Sequence, residues 1–75
     1  MSDLVVDALG LLCPQPVIAL AKAIRTVAVN GTVAVIADDP VAAVDIPAWC
    51  WSQGHEFLGA SDGDGGRVYR IRRKA

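Results

Sequence analysis

The sequence predicts a two-layer α/β sandwich, in which a mixed four-stranded sheet carries two helices on one face. Three observations lead to this prediction. Short β-branched runs alternate with helix-periodic segments, Pro and Gly mark the boundaries between them, and the last two runs are joined by a glycine-rich turn. The resulting order βαβαββ makes the first two strands a parallel pair with a right-handed crossover.

Length, composition and charge narrow the class of protein. Seventy-five residues suit one small domain, which we expect to span residues 1–75. The chain is 53% hydrophobic and 20% charged, an apolar excess that compensates for a small core. A net charge of -1 argues against a nucleic-acid binder held by phosphate contacts. Since we see neither a signal peptide nor an apolar run of about 20 residues, we expect a cytoplasmic protein without a membrane span.

The first strand and the first helix lie in the N-terminal part of the chain. The strand is predicted over Leu4 to Asp7. The helix is predicted from Pro14 or Pro16 to Val29, because proline suits the first helical position and restricts the residue before it; the residues leave both starts open. Gly31, after an asparagine, is expected to end the helix in a left-handed conformation. Apolar residues at helical spacing form one face of this helix: Val17, Leu20, Ala21, Ile24, Val27 and Ala28.

The second strand and helix follow the same pattern. Thr32 to Ala37 is apolar on both faces, which is typical of a central strand. Asp39, followed by proline, is expected to cap a helix from about Val41 to Gln53. Pro47 is expected to kink or split that helix, so that a new segment starts near it. A glycine after Gln53 then stops it.

The C-terminal part predicts a β-hairpin. His55 to Ser61 and Arg67 to Arg73 are expected to be strands, joined by a turn over Asp62 to Gly66. In the last strand Tyr69 and Ile71 share one face, opposite basic residues. The basic residues of this tail suit either a solvated edge strand or docking to an acidic patch on a partner protein, and we favour the edge strand.

Cys13 is the candidate functional residue. Pro14 follows it directly and biases it toward an extended backbone, so we expect Cys13 at the N-cap of the helix, on an accessible turn. The dipole and unpaired N–H groups of a helix N-terminus favour an anion and lower the pKa of a thiol from about 8.5. We therefore interpret Cys13 as a sulfur nucleophile. The alternative is a small buried hydrophobic residue, a common role for cysteine.

Other chemistry-bearing residues are assigned structural roles. Cys50, between two tryptophans, is interpreted as core packing, with a disulfide to Cys13 or a resolving role as the alternative. His55 is distant in sequence from Cys13, and a structural or surface role is favoured over that of a base. Capping accounts for Asp39 and its neighbour Asp38, although Asp38 could also lie near Cys13 and contact a partner. The spacing of the two cysteines and the histidine lacks the ligand pairs of zinc motifs, and we expect neither a metal nor a cofactor.

Four segments together resemble a known family. They are Val6-Asp7-Ala8-Leu9-Gly10-Leu11-Leu12-Cys13-Pro14-Gln15-Pro16-Val17, then Ala37-Asp38-Asp39-Pro40, then Asp45-Ile46-Pro47-Ala48-Trp49-Cys50, and Gly54-His55-Glu56. In this order and in so short a chain, the set resembles the TusA/SirA-like sulfur carrier proteins over nearly the whole length. Trp49, where the family usually has Phe, and the glycine-rich hairpin are minor departures.

The resemblance implies a function. Family members carry sulfur as a persulfide on the cysteine that matches Cys13. They take it from a cysteine desulfurase or a rhodanese-like donor and pass it to an acceptor protein, for example toward tRNA 2-thiouridine or in dissimilatory sulfur metabolism. We therefore expect a monomeric sulfurtransferase-type carrier that acts through protein partners, without direct nucleic-acid or membrane contacts. The alternative hypothesis is a small redox-sensing or regulatory interaction module that uses Cys13.

Overall fold

The computed structural model describes residues 4–75 and has the predicted order βαβαββ. The strands are β1 Leu4–Asp7, β2 Thr32–Ala37, β3 Glu56–Gly63 and β4 Gly66–Arg72, and the helices are α1 Gln15–Ile24 and α2 Ala42–Gln53. The sheet order is β1-β2-β4-β3, with β1 parallel to β2 and the other neighbours antiparallel. The predicted fold class is therefore confirmed.

Two predictions about targeting fare differently. The prediction that the N-terminus is not a signal peptide depends on Met1 to Asp3, which lie outside the described residues. Within residues 4–75, neither helix has the length and apolar character that crossing a membrane requires.

The core lies between the helices and one face of the sheet. Alternate residues of the two central strands face it, because successive side chains of a strand point to opposite sides. Tyr69 and Ile71 of β4, which were predicted to share one face, are both buried. The cluster is completed by small and aliphatic residues of the other elements: Ala8, Leu20, Ile24, Val33, Val35, Ala37, Ala42, Ile46 and Cys50.

The first helix is shorter than predicted. It ends at Ile24, with Arg25 as the C-cap, well before the predicted end at Val29. Both the N–H and the hydroxyl of Thr26 donate to the carbonyl of Ala23, at 3.0 and 2.7 Å. A threonine hydroxyl that binds a nearby carbonyl competes with helical hydrogen bonding, so the chain turns at this point although its apolar spacing continues.

The turn that leads into β2 also differs from the prediction. Asn30, with φ of 72°, takes the left-handed conformation that we expected of Gly31. The Asn30 N–H donates to the Arg73 carbonyl at 2.7 Å, and the Arg73 N–H donates to the Gly31 carbonyl at 2.9 Å. A glycine is required at position 31 for another reason: the backbone there passes so close to Ala28 that a Cβ would lie 2.8 Å from the Ala28 carbonyl oxygen.

The second helix continues through Pro47, so the predicted split is wrong. Ala42, Ile46 and Cys50 lie on one face on both sides of the proline, and all three are buried. Their burial opposes the cost of about 3 kcal/mol that an interior proline carries, which explains why tertiary packing overrides the local signal. Gly54 ends the helix, as predicted, and takes the left-handed conformation with φ of 76°.

The basic strand β4 is central, and its interpretation as an edge strand is wrong. It lies between β2 and β3, and the outer strands are β1 and β3. Arg70 and Arg72 instead occupy the face that the helices leave uncovered, where Arg72 pairs with Glu56 at 3.3 Å and Arg70 donates to Ser61 at 3.2 Å. Side chains on an uncovered face remain in contact with water even when both backbone edges are paired. The alternating basic residues of β4 therefore indicate a face of the sheet that is exposed to water, and not a strand at the edge of the sheet.

Candidate functional site

Cys13 lies in the exposed turn before α1. Pro14 is the N-cap and Gln15 the first helical residue, so the helix begins between the two predicted starts. Cys13 is thus one residue further from the helix than the N-cap position that we expected. The helix also presents few free donors to its sulfur, because Pro14 has no N–H and the Gln15 N–H already donates to the Leu12 carbonyl at 2.8 Å.

Asp39 connects the Cys13 turn to the start of α2. The Cys13 N–H donates to Asp39 Oδ2 at 2.7 Å, and the Val41 N–H donates to Asp39 Oδ1 at 3.1 Å. Asp39 lies two residues before the N-cap Val41 and accepts its N–H, so it acts ahead of the N-cap position that its predicted capping role requires. The side chain is buried, and each carboxylate oxygen accepts a backbone N–H. It therefore fixes the backbone of Cys13.

Asp38 anchors the same loop at a second point. Its Oδ1 accepts the Gly10 N–H at 3.0 Å, and Gly10 has φ of 78°. Closer to β1, the Leu9 N–H donates to Asp7 Oδ1 at 3.0 Å. Capping alone therefore does not account for Asp38. The predicted parallel pairing of β1 and β2 could have indicated the contact between Asp38 and Gly10, because it brings the carboxyl ends of both strands to the same end of the sheet.

Asp45 is the residue that touches the sulfur, and the sequence reasoning missed it. The Cys13 Sγ donates to Asp45 Oδ2 at 2.9 Å, although the two residues are 32 positions apart. Asp45 lies on the first turn of α2. In a βαβαβ arrangement the first turns of both helices meet at the same end of the helical layer, so the topology brings these two side chains together.

The electrostatics around Cys13 are opposite to the expectation. The hydrogen bond to Asp45 raises the pKa of the Cys13 thiol above its ordinary value, and partial desolvation and the negative charges of Asp45 and Asp39 act in the same direction. The prediction of a lowered pKa is therefore wrong. The carboxylates outweigh the helix dipole because they bear full charges at short range, whereas a helix terminus carries about half a charge.

The other two candidates do not join this site. Cys50 is fully buried on α2, and its burial raises the pKa of the thiol to about 11. His55 follows the far end of α2, where its ring lies 5.4 Å from that of Trp49 and its Nδ1 accepts the Lys74 N–H at 3.2 Å. Both cysteines are free thiols. Within residues 4–75, no three His, Cys, Asp or Glu side chains converge in a way that could hold a metal ion.

His55 gives the fold an expected pH dependence. Burial, and then the nearby Arg73 charge, lower the pKa of His55 below its ordinary value of 6.5. The unfolded chain therefore binds the proton more readily, so the stabilising contribution is complete above pH 6.5 and is lost as the pH falls through the folded-state pKa. We expect urea denaturation of the parent chain to show this loss as the pH falls below about 6.5, and His55→Gln to show less of it. Identical pH dependence in the two proteins would contradict the assignment.

Comparisons with known proteins cover nearly the whole chain. Residues 4–73 match the family model described as Sulfurtransferase TusA. Over 73 residues the chain is 47% identical to the sulfur carrier protein TusA of Pseudomonas entomophila (strain L48), covering 97% of this chain and 91% of the relative. It is 45% identical to the sulfur carrier protein TusA of Pseudomonas putida (strain GB-1), with the same coverage of both chains.

The fold is similar to a solved structure. The crystal structure of the SirA-like protein from Desulfitobacterium hafniense matches with a TM-score of 0.79 and 26% sequence identity, covering 96% of this chain and 99% of that one. The sequence and structural similarities thus extend over all four strands and both helices.

Proposed function

Because the chain belongs to the TusA family, whose members are sulfur carriers, we propose that it holds sulfane sulfur as a persulfide on Cys13 and relays it between proteins. One observation supports Cys13 above all others. Of the two cysteines, it alone is exposed, on a turn whose backbone is held by the buried Asp39. An accessible sulfur on a fixed turn can be presented to one partner after another.

The proposed transfer is a thiol exchange. The Cys13 thiolate attacks the outer sulfur of a persulfide on the donor protein. A new S–S bond forms on Cys13, the S–S bond of the donor breaks, and the electron pair leaves on the donor cysteine, which takes up a proton. No net oxidation occurs. Nucleophilicity rises with the pKa of a thiol, so the raised pKa of Cys13 offsets part of the smaller thiolate fraction that it causes.

The partners in the proposal are a cysteine desulfurase or a rhodanese-like donor, and a downstream acceptor cysteine. Two apolar side chains beside the site suit transient docking: Leu12, next to Cys13, and Val44, next to Asp45, are each 70% exposed. The acceptor would decide whether the sulfur enters tRNA 2-thiouridine or another sulfur pathway. Because the relay requires a reduced thiol, the proposal places it in the cytoplasm.

The redox-sensing hypothesis gains no support from the site. Sensor cysteines are accessible and have a low pKa, because the thiolate is the form that oxidises. Cys13 is accessible, but the Asp45 hydrogen bond and the surrounding carboxylates raise its pKa.

Mass spectrometry tests the proposal. We expect the protein, incubated with a cysteine desulfurase and cysteine without reductant, to gain the mass of one sulfur atom, and peptide mapping to locate it on Cys13. Dithiothreitol should remove it. The Cys50→Ala variant, in which Cys13 is the remaining thiol, should gain the same mass. Absence of the gain, or a sulfur found on Cys50, would refute the proposal.

A further inference from the structure

The charged side chains around the sulfur of Cys13 and its turn are acidic. Asp45 of α2 accepts a hydrogen bond from the Cys13 thiol at 2.9 Å, and Asp39, from the loop after β2, accepts one from the Cys13 N–H at 2.7 Å. Asp38 of the same loop binds Gly10. The first turn of α1 carries no acidic residue. Among residues 4–75, the described ion pairs join Arg67 to Asp62 and Arg72 to Glu56, and they involve none of these three carboxylates.

Asp45 differs from the other two carboxylates in what it binds. Asp38 and Asp39 accept backbone N–H groups and thereby hold the loop, whereas Asp45 accepts the reactive group itself. Its carboxylate is complementary to the neutral thiol and repels a negative charge on Sγ. The same repulsion applies whether that charge is present before a reaction or develops during one.

We infer that Asp45 is a positioning residue that slows exchange at Cys13 with small nucleophiles and electrophiles, so that the free carrier neither reacts prematurely nor loses its sulfur between partners. This inference rests on the proposed persulfide function and names the residue that controls that site. Two reactions of the free chain are affected, and both pass through a negative charge on Sγ.

In the empty carrier, Asp45 suppresses the thiolate. The thiol must release its proton to solvent before Sγ can form a bond to an electrophile, and the adjacent carboxylate favours the protonated form. The raised pKa of Cys13 agrees with this direction.

In the loaded carrier, Asp45 disfavours departure of the outer sulfur. When cyanide attacks, its carbon forms a bond to the outer sulfur, the bond from the outer sulfur to Cys13 Sγ breaks, and the electron pair stays on Sγ. Thiocyanate and the Cys13 thiolate are the products. A leaving thiol departs more slowly when its pKa is higher, so a carboxylate beside Sγ protects the persulfide.

The first test is the pH profile of alkylation by iodoacetamide, with Asp45→Asn compared with the parent chain. Asparagine keeps an oxygen that can accept the thiol proton but lacks the charge. We expect the profile to move to lower pH and the rate at pH 7 to rise about threefold for each pKa unit, since reduced nucleophilicity offsets part of the tenfold gain in thiolate. Glu56→Gln, the same carboxylate-to-amide change near the opposite end of the sheet, should leave the profile unchanged.

The second test is release of the loaded sulfur as thiocyanate on addition of cyanide. We expect Asp45→Asn to release it several-fold faster than the parent chain and Glu56→Gln to match the parent. Unfolding midpoints of the three proteins establish that they are folded. If the alkylation profiles of Asp45→Asn and the parent chain coincide, or if Asp45→Asn releases its sulfur more slowly, the inferred role of Asp45 is wrong. Such a result would not affect the proposal that Cys13 is loaded with sulfur. If no protein loads, the proposed function fails, and the alkylation profile alone decides whether Asp45 controls the thiol.

Discussion

Cys13→Ser is expected to abolish sulfur acceptance while the free energy of unfolding stays within about 0.5 kcal/mol of the parent value. The side chain is exposed, so its replacement leaves no cavity. A serine hydroxyl can still donate to Asp45, which preserves the hydrogen bond that the thiol makes. It cannot form a persulfide, because the nucleophile that accepts sulfur is a thiolate.

The measurement is intact mass after incubation with a cysteine desulfurase and cysteine, together with urea denaturation. Cys50→Ala is the matched control, since it removes the buried thiol and keeps the exposed one. We expect it to load fully and to be less stable, because it removes a packed core atom. Equal loading of Cys13→Ser and the parent chain would exclude Cys13 as the sulfur-carrying residue.

Asp39→Asn is expected to destabilise the fold by about 1–3 kcal/mol, through a backbone N–H left without an acceptor. Each carboxylate oxygen of Asp39 accepts one N–H, from Cys13 and from Val41. An amide has one oxygen, and its NH₂ group would face the remaining N–H donor-to-donor. Because one of these bonds holds Cys13, we also expect slower sulfur loading.

Asp38→Asn is the control for this substitution. Asp38 is exposed, and its contact with the loop is a single hydrogen bond from the Gly10 N–H to Oδ1, which an amide oxygen can also accept. Urea denaturation should therefore show a small change for Asp38→Asn and a large one for Asp39→Asn. Equal losses in the two variants would mean that general negative charge at this loop, and not the pair of bonds to Asp39, stabilises it.

Local signals predicted most of the fold. The strand alternation that puts Tyr69 and Ile71 on one face, and the glycine stop at Gly54, are confirmed because each depends on a few neighbouring residues. The hairpin turn comprises Asp64 and Gly65, with φ of 82° at the glycine, and is shorter than the predicted turn over Asp62 to Gly66. The two strands pair beyond the last of their apolar residues, and the apolar pattern therefore underestimated their length. Several predictions that depended on distant contacts were wrong, including the break at Pro47 and the edge position of β4.

The candidate site divides in the same way. Cys13, its proline and its exposed turn were evident from the residues around it. The role of Asp45 was not, although Asp45 belongs to a segment that carried the family resemblance. Nothing in the local pattern around Asp45 distinguishes a partner of the sulfur from an ordinary acidic residue on the first turn of a helix.

The amino-acid sequence alone determined the order of the elements, the faces they bury and the cysteine that precedes the first helix, because each follows from neighbouring side chains. Only the tertiary structure decided the charge that surrounds this cysteine. Asp39 and Asp45 lie 26 and 32 positions from Cys13, and parallel pairing of β1 with β2 brings them within hydrogen-bond distance. Electrostatic effects act through space, so the ionisation of a thiol depends on which distant residues the fold places beside it.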